Sequence, residues 1–350
     1  MGIKRIAKLA NVSIGTVDRV LHNRGGVSKQ TESKILKIIK ETGYHKNLTA
    51  SRLKLASVKK IKFAVLTPKI QDEYSYWKLP KLGVSEAVDE LKELGVNVDY
   101  FEFLDTSSFR ESSKRILSKN YDAIITVPFF ENESIYLLES AKLKNVPVVF
   151  LDTRIPLKGT GYFIRQNSHK AGMVAGRLLH GCVGTKGRYF IVNILDDTGV
   201  QGNNQQRGDG FRAFFKSIAT EVNITTINHL LNDTFKTTKE VEEGFQSSDL
   251  KGIFVTNSRA HLIAEILKKH KVRNTYVLGF DLNNKNLAYL KNNEINFLIN
   301  QQPKYQGYIA VIRLFHFLTE KNDFEPDFEM PELDLEIPVE IIVKENMFSI

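Results

Sequence analysis

Ile3 to Lys54 reads IKRIAKLANVSIGTVDRVLHNRGGVSKQTESKILKIIKETGYHKNLTASRLK, and this stretch decides how the chain is organised. Residues 1–60 hold 14 Lys+Arg against 3 Asp+Glu; the whole 350-residue chain holds 49 against 40, which leaves 35 against 37 for residues 61–350. The positive charge is therefore local, and a basic block on a small folded unit suits a polyanion. Ile6, Leu9 and Ala10 recur at helical spacing and predict a first helix over residues 4–10. After Asn11-Val12, Ser13 is suited to cap a second helix reaching Leu21, with Val17, Val20 and Leu21 turned inward. Asn23-Arg24-Gly25-Gly26 reads as a loop, and Ser28 as the cap of a third helix over residues 29–41, with Ile35, Ile38 and Ile39 inward and Gly43 at its end. Two short helices around a tight turn, backed by a third, form a helix-turn-helix pattern.

On that pattern the second helix enters the major groove of double-stranded DNA, presenting Ile14, Gly15, Asp18, Arg19 and His22. Arg19 can donate two hydrogen bonds to guanine, and Ile14 can touch a thymine methyl. Ser13, Thr16, Arg24 and Lys29 are expected at phosphates, which fix position without reading sequence. One small head buries too little surface for specific affinity, so a homodimer on a pseudo-palindromic operator is expected.

The run Ala10-x-Val12-Ser13-x-x-Thr16-Val17-x-Arg19-Val20-Leu21-x-Asn23, followed by Val27-Ser28-x-x-Thr31 and Gly43-Tyr44, resembles the head of the lac-repressor (LacI/GalR) family. Asn47, Ala50 and Leu53 resemble that family's hinge helix. The resemblance implies a segment that becomes helical on DNA, with Leu53 wedged into the minor groove. Two positions depart from the family pattern. Asp18 replaces a small hydroxyl residue and either accepts from a cytosine amino group or orients Arg19; Lys46 stands where a proline is common. The expected divisions are a helix-turn-helix head over 1–46, hinge helix and linker over 47–59, and a body over 60–350.

In the body, apolar runs of strand length (61–67, 98–104, 123–127, 146–151, 189–195, 224–230, 253–256, 276–280, 297–299) alternate with helical stretches. That alternation predicts parallel sheets covered on both faces, and its extent predicts two doubly wound α/β lobes with a ligand cleft at the strand ends. The body resembles the type I periplasmic binding protein fold that the lac-repressor family uses as a sugar sensor. The resemblance implies ligand contacts at Asp152, Arg154, Arg207, Asn257, Asp281 and Gln301, and a helix opening lobe two at Asn167. Tyr76, Trp77 and Phe129, in or near loops after strands, are candidates for the apolar face of a sugar ring. Lobe one is expected over about 60–159 and 301–325, lobe two over about 160–300 and 326–350.

The expected function is a sequence-specific transcriptional regulator controlled by a small effector, a sugar or sugar derivative. Repression is the expected output, with activation left open. The alternatives are a sugar-handling enzyme or a sugar-binding receptor with an accessory DNA-binding head. No GxxxxGK[ST], HExxH or GxSxG motif and no metal-ligand spacing among the histidines is found, so no catalytic residue, metal or cofactor is expected. Cys182 is the only cysteine, which excludes an intrachain disulfide. No signal peptide or membrane-length apolar run is read, so a cytoplasmic location is expected. The two arginines of the ligand set leave a neutral sugar, a sugar acid and a sugar phosphate equally open.

Overall fold

The computed structural model describes residues 3–21, 25–42, 60–70, 75–155, 161–185, 187–195, 202–230, 244–245, 247–319 and 333–347. The expected hinge helix, with Asn47, Ala50 and Leu53, lies outside the described residues, as do His22 and Arg24. The head consists of α1 (Ile3–Ala10), α2 (Ile14–Leu21) and α3 (Lys29–Thr42). Ser13 Oγ accepts from the Thr16 backbone N–H at 3.0 Å, and Ser28 Oγ from Thr31 at 3.2 Å, which satisfies donors left open at the starts of α2 and α3. Ile6, Ala7, Ala10, Val17, Val20 and Ile35 form the core, with Ile38 and Ile39 packed against it. Leu9, expected inward, is 51% exposed. At about 100° per residue the buried face of α1 is centred between Ile6, Ala7 and Ala10, which leaves Leu9 on its flank.

The body begins with β1 (Ile61–Pro68), α4 (Lys78–Glu90), β2 (Val96–Phe103), α5 (Thr106–Leu117), β3 (Ala123–Thr126), α6 (Glu131–Lys142), β4 (Val148–Leu151) and β5 (Tyr162–Gln166). Then come α7 (Ser168–Val183), β6 (Arg188–Leu195), α8 (Gly202–Ser217), β7 (Asn223–Leu230), β8 (Leu250–Val255), α9 (Ala260–Lys269), β9 (Tyr276–Phe280), α10 (Asn284–Lys291) and β10 (Phe297–Asn300). α11 (Pro303–Thr319), β11 (Leu335–Ile337) and β12 (Glu340–Ile342) follow. Among the described residues two six-stranded sheets result, ordered β11-β5-β4-β3-β1-β2 and β12-β10-β9-β8-β6-β7. Apart from the antiparallel β10–β12 pair, the pairings are parallel.

Each sheet is buried on both faces, which explains the unbroken apolar runs. In β1, Phe63 and Val65 join one core while Ala64 and Leu66 join the other. In β6, Phe190 and Val192 likewise face away from Tyr189 and Ile191. Each lobe thus has a three-layer helix–sheet–helix build. Among the described residues no helix is long and apolar enough to cross a membrane.

The lobe limits expected at 159 and 326 are corrected. Strand β5 completes the first sheet beside β4, so the chain first crosses at Asn167. Strand β11 also joins the first sheet, beside β5, and the last crossing falls at Pro338–Val339. Ile164 and Ile337 are fully buried in the core of lobe one, and burying them outweighs the polar Arg165, Gln166 and Glu336 around them. Between these two crossings, α11 returns to lobe one and packs on α4.

Candidate functional site

In the head, the exposed edge of α2 carries Ser13, Ile14, Gly15 and Arg19, with Thr16 and Asp18 half-buried beside them and Lys29 exposed at the start of α3. Ile14 is 47% exposed, a branched apolar side chain with no core to enter. A Cβ placed on Gly26 would come within 3.0 Å of Arg19 Nη1, so the guanidinium lies along the loop that precedes α3. The edge therefore offers one forked donor, one methyl-bearing side chain and a close backbone approach at Gly15, which suits base edges in a groove. The N-terminal residues of α2 also sit at the positive end of the helix dipole.

Between the lobes lies a second cluster, built from strand ends. Asp152 follows β4 and Asp281 follows β9, with φ of 66° and 67°. Both are held in this left-handed conformation by backbone N–H bonds to the neighbouring strand, Asp152 to Ile164 O and Asp281 to Ile299 O, each at 3.0 Å. The same local geometry at matching places points both carboxylates into one space. Asp152 Oδ1 accepts from Tyr76 OH at 2.9 Å, and its Oδ2 accepts from Thr153 Oγ1 and Asn203 Nδ2, each at 3.0 Å. Asp281 accepts from Gln301 Nε2 at 3.0 and 3.1 Å. Arg207 donates through Nη1 to Thr256 O at 2.6 Å and through Nη2 to Gln301 Oε1, and its guanidinium lies 3.9 Å from the centre of the Phe280 ring.

The electrostatics follow from burial. Asp281 is pushed up from its ordinary 3.8 to about 7, chiefly by burial and further by Asp152, with Arg207 and the Gln301 bond pulling the other way. Tyr76 is raised well above its ordinary value by burial and by the two aspartates. Burial lowers Arg207, while Asp152, Asp281 and Tyr76 hold it up. Arg207 Nε is buried without a partner among the described residues.

Tyr76, Asp152, Arg207, Asp281 and Gln301 thus come together. Trp77 is buried, edge-on to Tyr76 at 4.9 Å and to Phe129 at 5.4 Å, which makes these rings a wall beside Asp152. Arg154 does not join. It is exposed and lies over Phe163, 5.6 Å from the ring centre. Asn257 spends its amide on Ile194 O, at 2.5 Å, and on Arg259 N–H, so its hydrogen bonds serve the chain turn after β8. Asn167 caps α7 by accepting from Lys170 N–H at 3.1 Å. The residue that sequence reasoning missed is Asn203, whose amide reaches across the lobes to Asp152 and to Thr153 Oγ1. Its spacing of four from Arg207 on α8 was the available signal, since it puts both on one helix face. Gln306 was also missed; it accepts from the Asp152 N–H at 3.1 Å and donates to Gln301 O at 2.9 Å. Among the described residues no group of three or more His, Cys, Asp or Glu is placed to hold a metal.

Residues 2–47 match the family described as bacterial regulatory proteins, lacI family, and residues 63–321 match the periplasmic binding protein domain. The chain is 30% identical over 210 residues to the HTH-type transcriptional regulator DegA of Bacillus subtilis, covering 59% of this chain and 58% of that protein. It is 26% identical over 296 residues to the ribose operon repressor of Halalkalibacterium halodurans, covering 80% of each. A crystal structure of a putative LacI transcriptional regulator from Bacteroides fragilis superposes with a TM-score of 0.73 at 24% identity, over 82% of this chain and 98% of that one.

Proposed function

We propose that this chain, which belongs to the lacI family of bacterial regulatory proteins and carries a periplasmic binding protein domain behind its head, is a ligand-controlled DNA-binding regulator. The observation that carries the reading is the pairing, in one chain, of an exposed Ile14–Gly15–Arg19 edge on a basic helix-turn-helix with a buried polar cluster shared by two lobes. The head is assigned to duplex DNA: Ile14, Gly15, Asp18, Arg19 and His22 at bases, with Ser13, Thr16, Arg24 and Lys29 at phosphates. By resemblance, Asn47, Ala50 and Leu53 form the hinge contact in the minor groove. The cleft is assigned to a sugar or sugar derivative, held by Asp152, Arg207, Asp281 and Gln301, with Asn203 added and with the Tyr76–Trp77–Phe129 wall against the ring. The ribose operon repressor among the relatives supports the sugar class. Repression through a homodimer on a pseudo-palindromic site in the cytoplasm completes the reading. Binding rather than catalysis is favoured because the named relatives are transcriptional regulators.

The test is selection of duplexes from a random pool by the full-length protein, followed by fluorescence anisotropy. An inverted-repeat site is expected, with affinity falling by about 10³–10⁵ between 50 and 200 mM salt if about 6–10 phosphates are contacted. A chain starting at Lys60 that bound the same site equally well would overturn the head assignment.

A further inference from the structure

We propose that the inter-lobe cluster selects an uncharged polyhydroxylated ligand and rejects the phosphorylated or carboxylated forms of the same sugar. This rests on the ligand-binding reading above and decides between alternatives that the sequence leaves open. Three observations carry it. First, the charged side chains of the cluster are two carboxyls, Asp152 and Asp281, and one guanidinium, Arg207, and the three act on one another electrostatically. Second, Arg207 is already committed within the protein. Both of its Nη atoms donate, to Thr256 O and Gln301 Oε1, one face is covered by Phe280, and Nε is buried. A phosphate or carboxylate is held tightly by two parallel N–H donors from one guanidinium, and gripping such a pair here means competing with these bonds. Third, the second arginine expected at the ligand, Arg154, is exposed and lies over Phe163.

The remaining groups suit hydroxyls. Asp152 and Asp281 accept, Arg207 Nε donates, and Tyr76, Asn203 and Gln301 each hold a donor and an acceptor, in bonds within the protein that a ligand hydroxyl can replace one for one. An anion entering this space meets two buried carboxyls at close range, where little water screens the repulsion. The burial that raises Asp281 is the same penalty on excess negative charge, expressed by one of the protein's own groups.

The experiment uses the full-length protein with D-ribose, D-glucose and D-galactose, each beside its terminal phosphate ester, its uronic or aldonic acid, and the methyl ether at the phosphate-bearing position. Thermal shift identifies binders and calorimetry measures Kd. A neutral sugar that binds is expected to lose about 100-fold or more in affinity on phosphorylation or oxidation, and much less on methylation, which separates charge from bulk. At pH 8, where Asp281 is ionised, Asp281→Asn removes one negative charge and is expected to narrow the phosphate-to-neutral ratio by about tenfold. A phosphate ester or acid that binds as tightly as its neutral parent overturns the selectivity while leaving the ligand-binding reading intact. A panel in which nothing binds, neutral or charged, overturns the ligand-binding reading and the selectivity with it.

Discussion

Two residues set sharp expectations. Asp281 is an acid whose pKa rises on folding, from its ordinary 3.8 to about 7, so the folded chain holds a proton that the unfolded chain has released. Its ionisation therefore opposes folding: stability falls as pH rises from about 4 to about 7 and levels off above. Asp281→Asn is free of that penalty. Its stability relative to the parent, from urea unfolding, is expected to improve by up to about 3 kcal/mol between pH 5 and pH 8. An equal difference at the two pH values would show that Asp281 is ionised throughout. Arg19 is the corresponding residue in the head. Arg19→Ala is expected to cost about 1–3 kcal/mol at the selected operator and to relax preference at one base pair, whereas Lys29→Ala should weaken all duplexes alike and flatten the salt slope. Uniform loss from both variants would remove Arg19 from base reading.

At the scale of elements, the helix pair α4–α11 in lobe one and the pair α7–α8 in lobe two use one device. A Cβ on Gly83 would meet Lys304 O at 1.8 Å, and one on Gly307 would meet Pro80 O at 2.0 Å. In lobe two, a Cβ on Gly172 would meet Arg207 O and one on Gly210 would meet His169 O, each at 2.0 Å. These four contacts bring helix backbones together, and because α8 carries Asn203 and Arg207, the lobe-two pair also fixes their height in the cleft. Gly172→Ala is expected to destabilise by about 1–3 kcal/mol and to weaken ligand binding, since it shifts the backbone of Arg207 itself. Gly181→Ala, on the same helix with nothing within 4 Å of its Cβ, is expected to stabilise by up to about 1 kcal/mol. Equal effects in chemical unfolding would mean that α7 and α8 are not in close backbone contact. Much at this scale was legible in the sequence. The strand Tyr276–Phe280 was read with those bounds, and Ser13 and Ser28 were legible as caps, because a continuous apolar run and a hydroxyl before a helix are local signals. The strands β5 and β11 were not, because Arg165, Gln166 and Glu336 break the pattern and their pairing joins segments about 170 residues apart. The carboxylates of the site were legible through resemblance. Asn203 was not, since a polar residue on a helix gains meaning only when Asp152 arrives from the other lobe, and Arg154 faces Phe163, which no spacing announced.

At the scale of the whole molecule, the body is one topology built twice, with the equivalent aspartates Asp152 and Asp281 facing one cleft and three chain crossings beneath it. Gln166 holds those crossings together. It is 3% exposed, it ends the strand before the first crossing, and its Nε2 donates to Asn300 O at the second and to Pro338 O at the third, each at 3.1 Å. Replacing it by alanine removes both hydrogen bonds, to the half-buried Asn300 and to the exposed Pro338, at the place where the lobes must act together, a loss of about 0.5–1.5 kcal/mol for each bond. The two lobes carry their own reporters: Trp77 is the only tryptophan and lies in lobe one, while Cys182 is the only cysteine and is exposed on α7 of lobe two, open to a fluorescent label. In the parent protein, tryptophan emission and the label are expected to report one coincident urea transition, the mark of two lobes unfolding as a unit. In Gln166→Ala both midpoints should fall, and the two curves should separate as the lobes lose their common anchor. Coincident curves at the parent's midpoint would mean that the crossings are coupled by the backbone alone, and that a ligand closing the cleft acts on the head through lobe packing rather than through this amide.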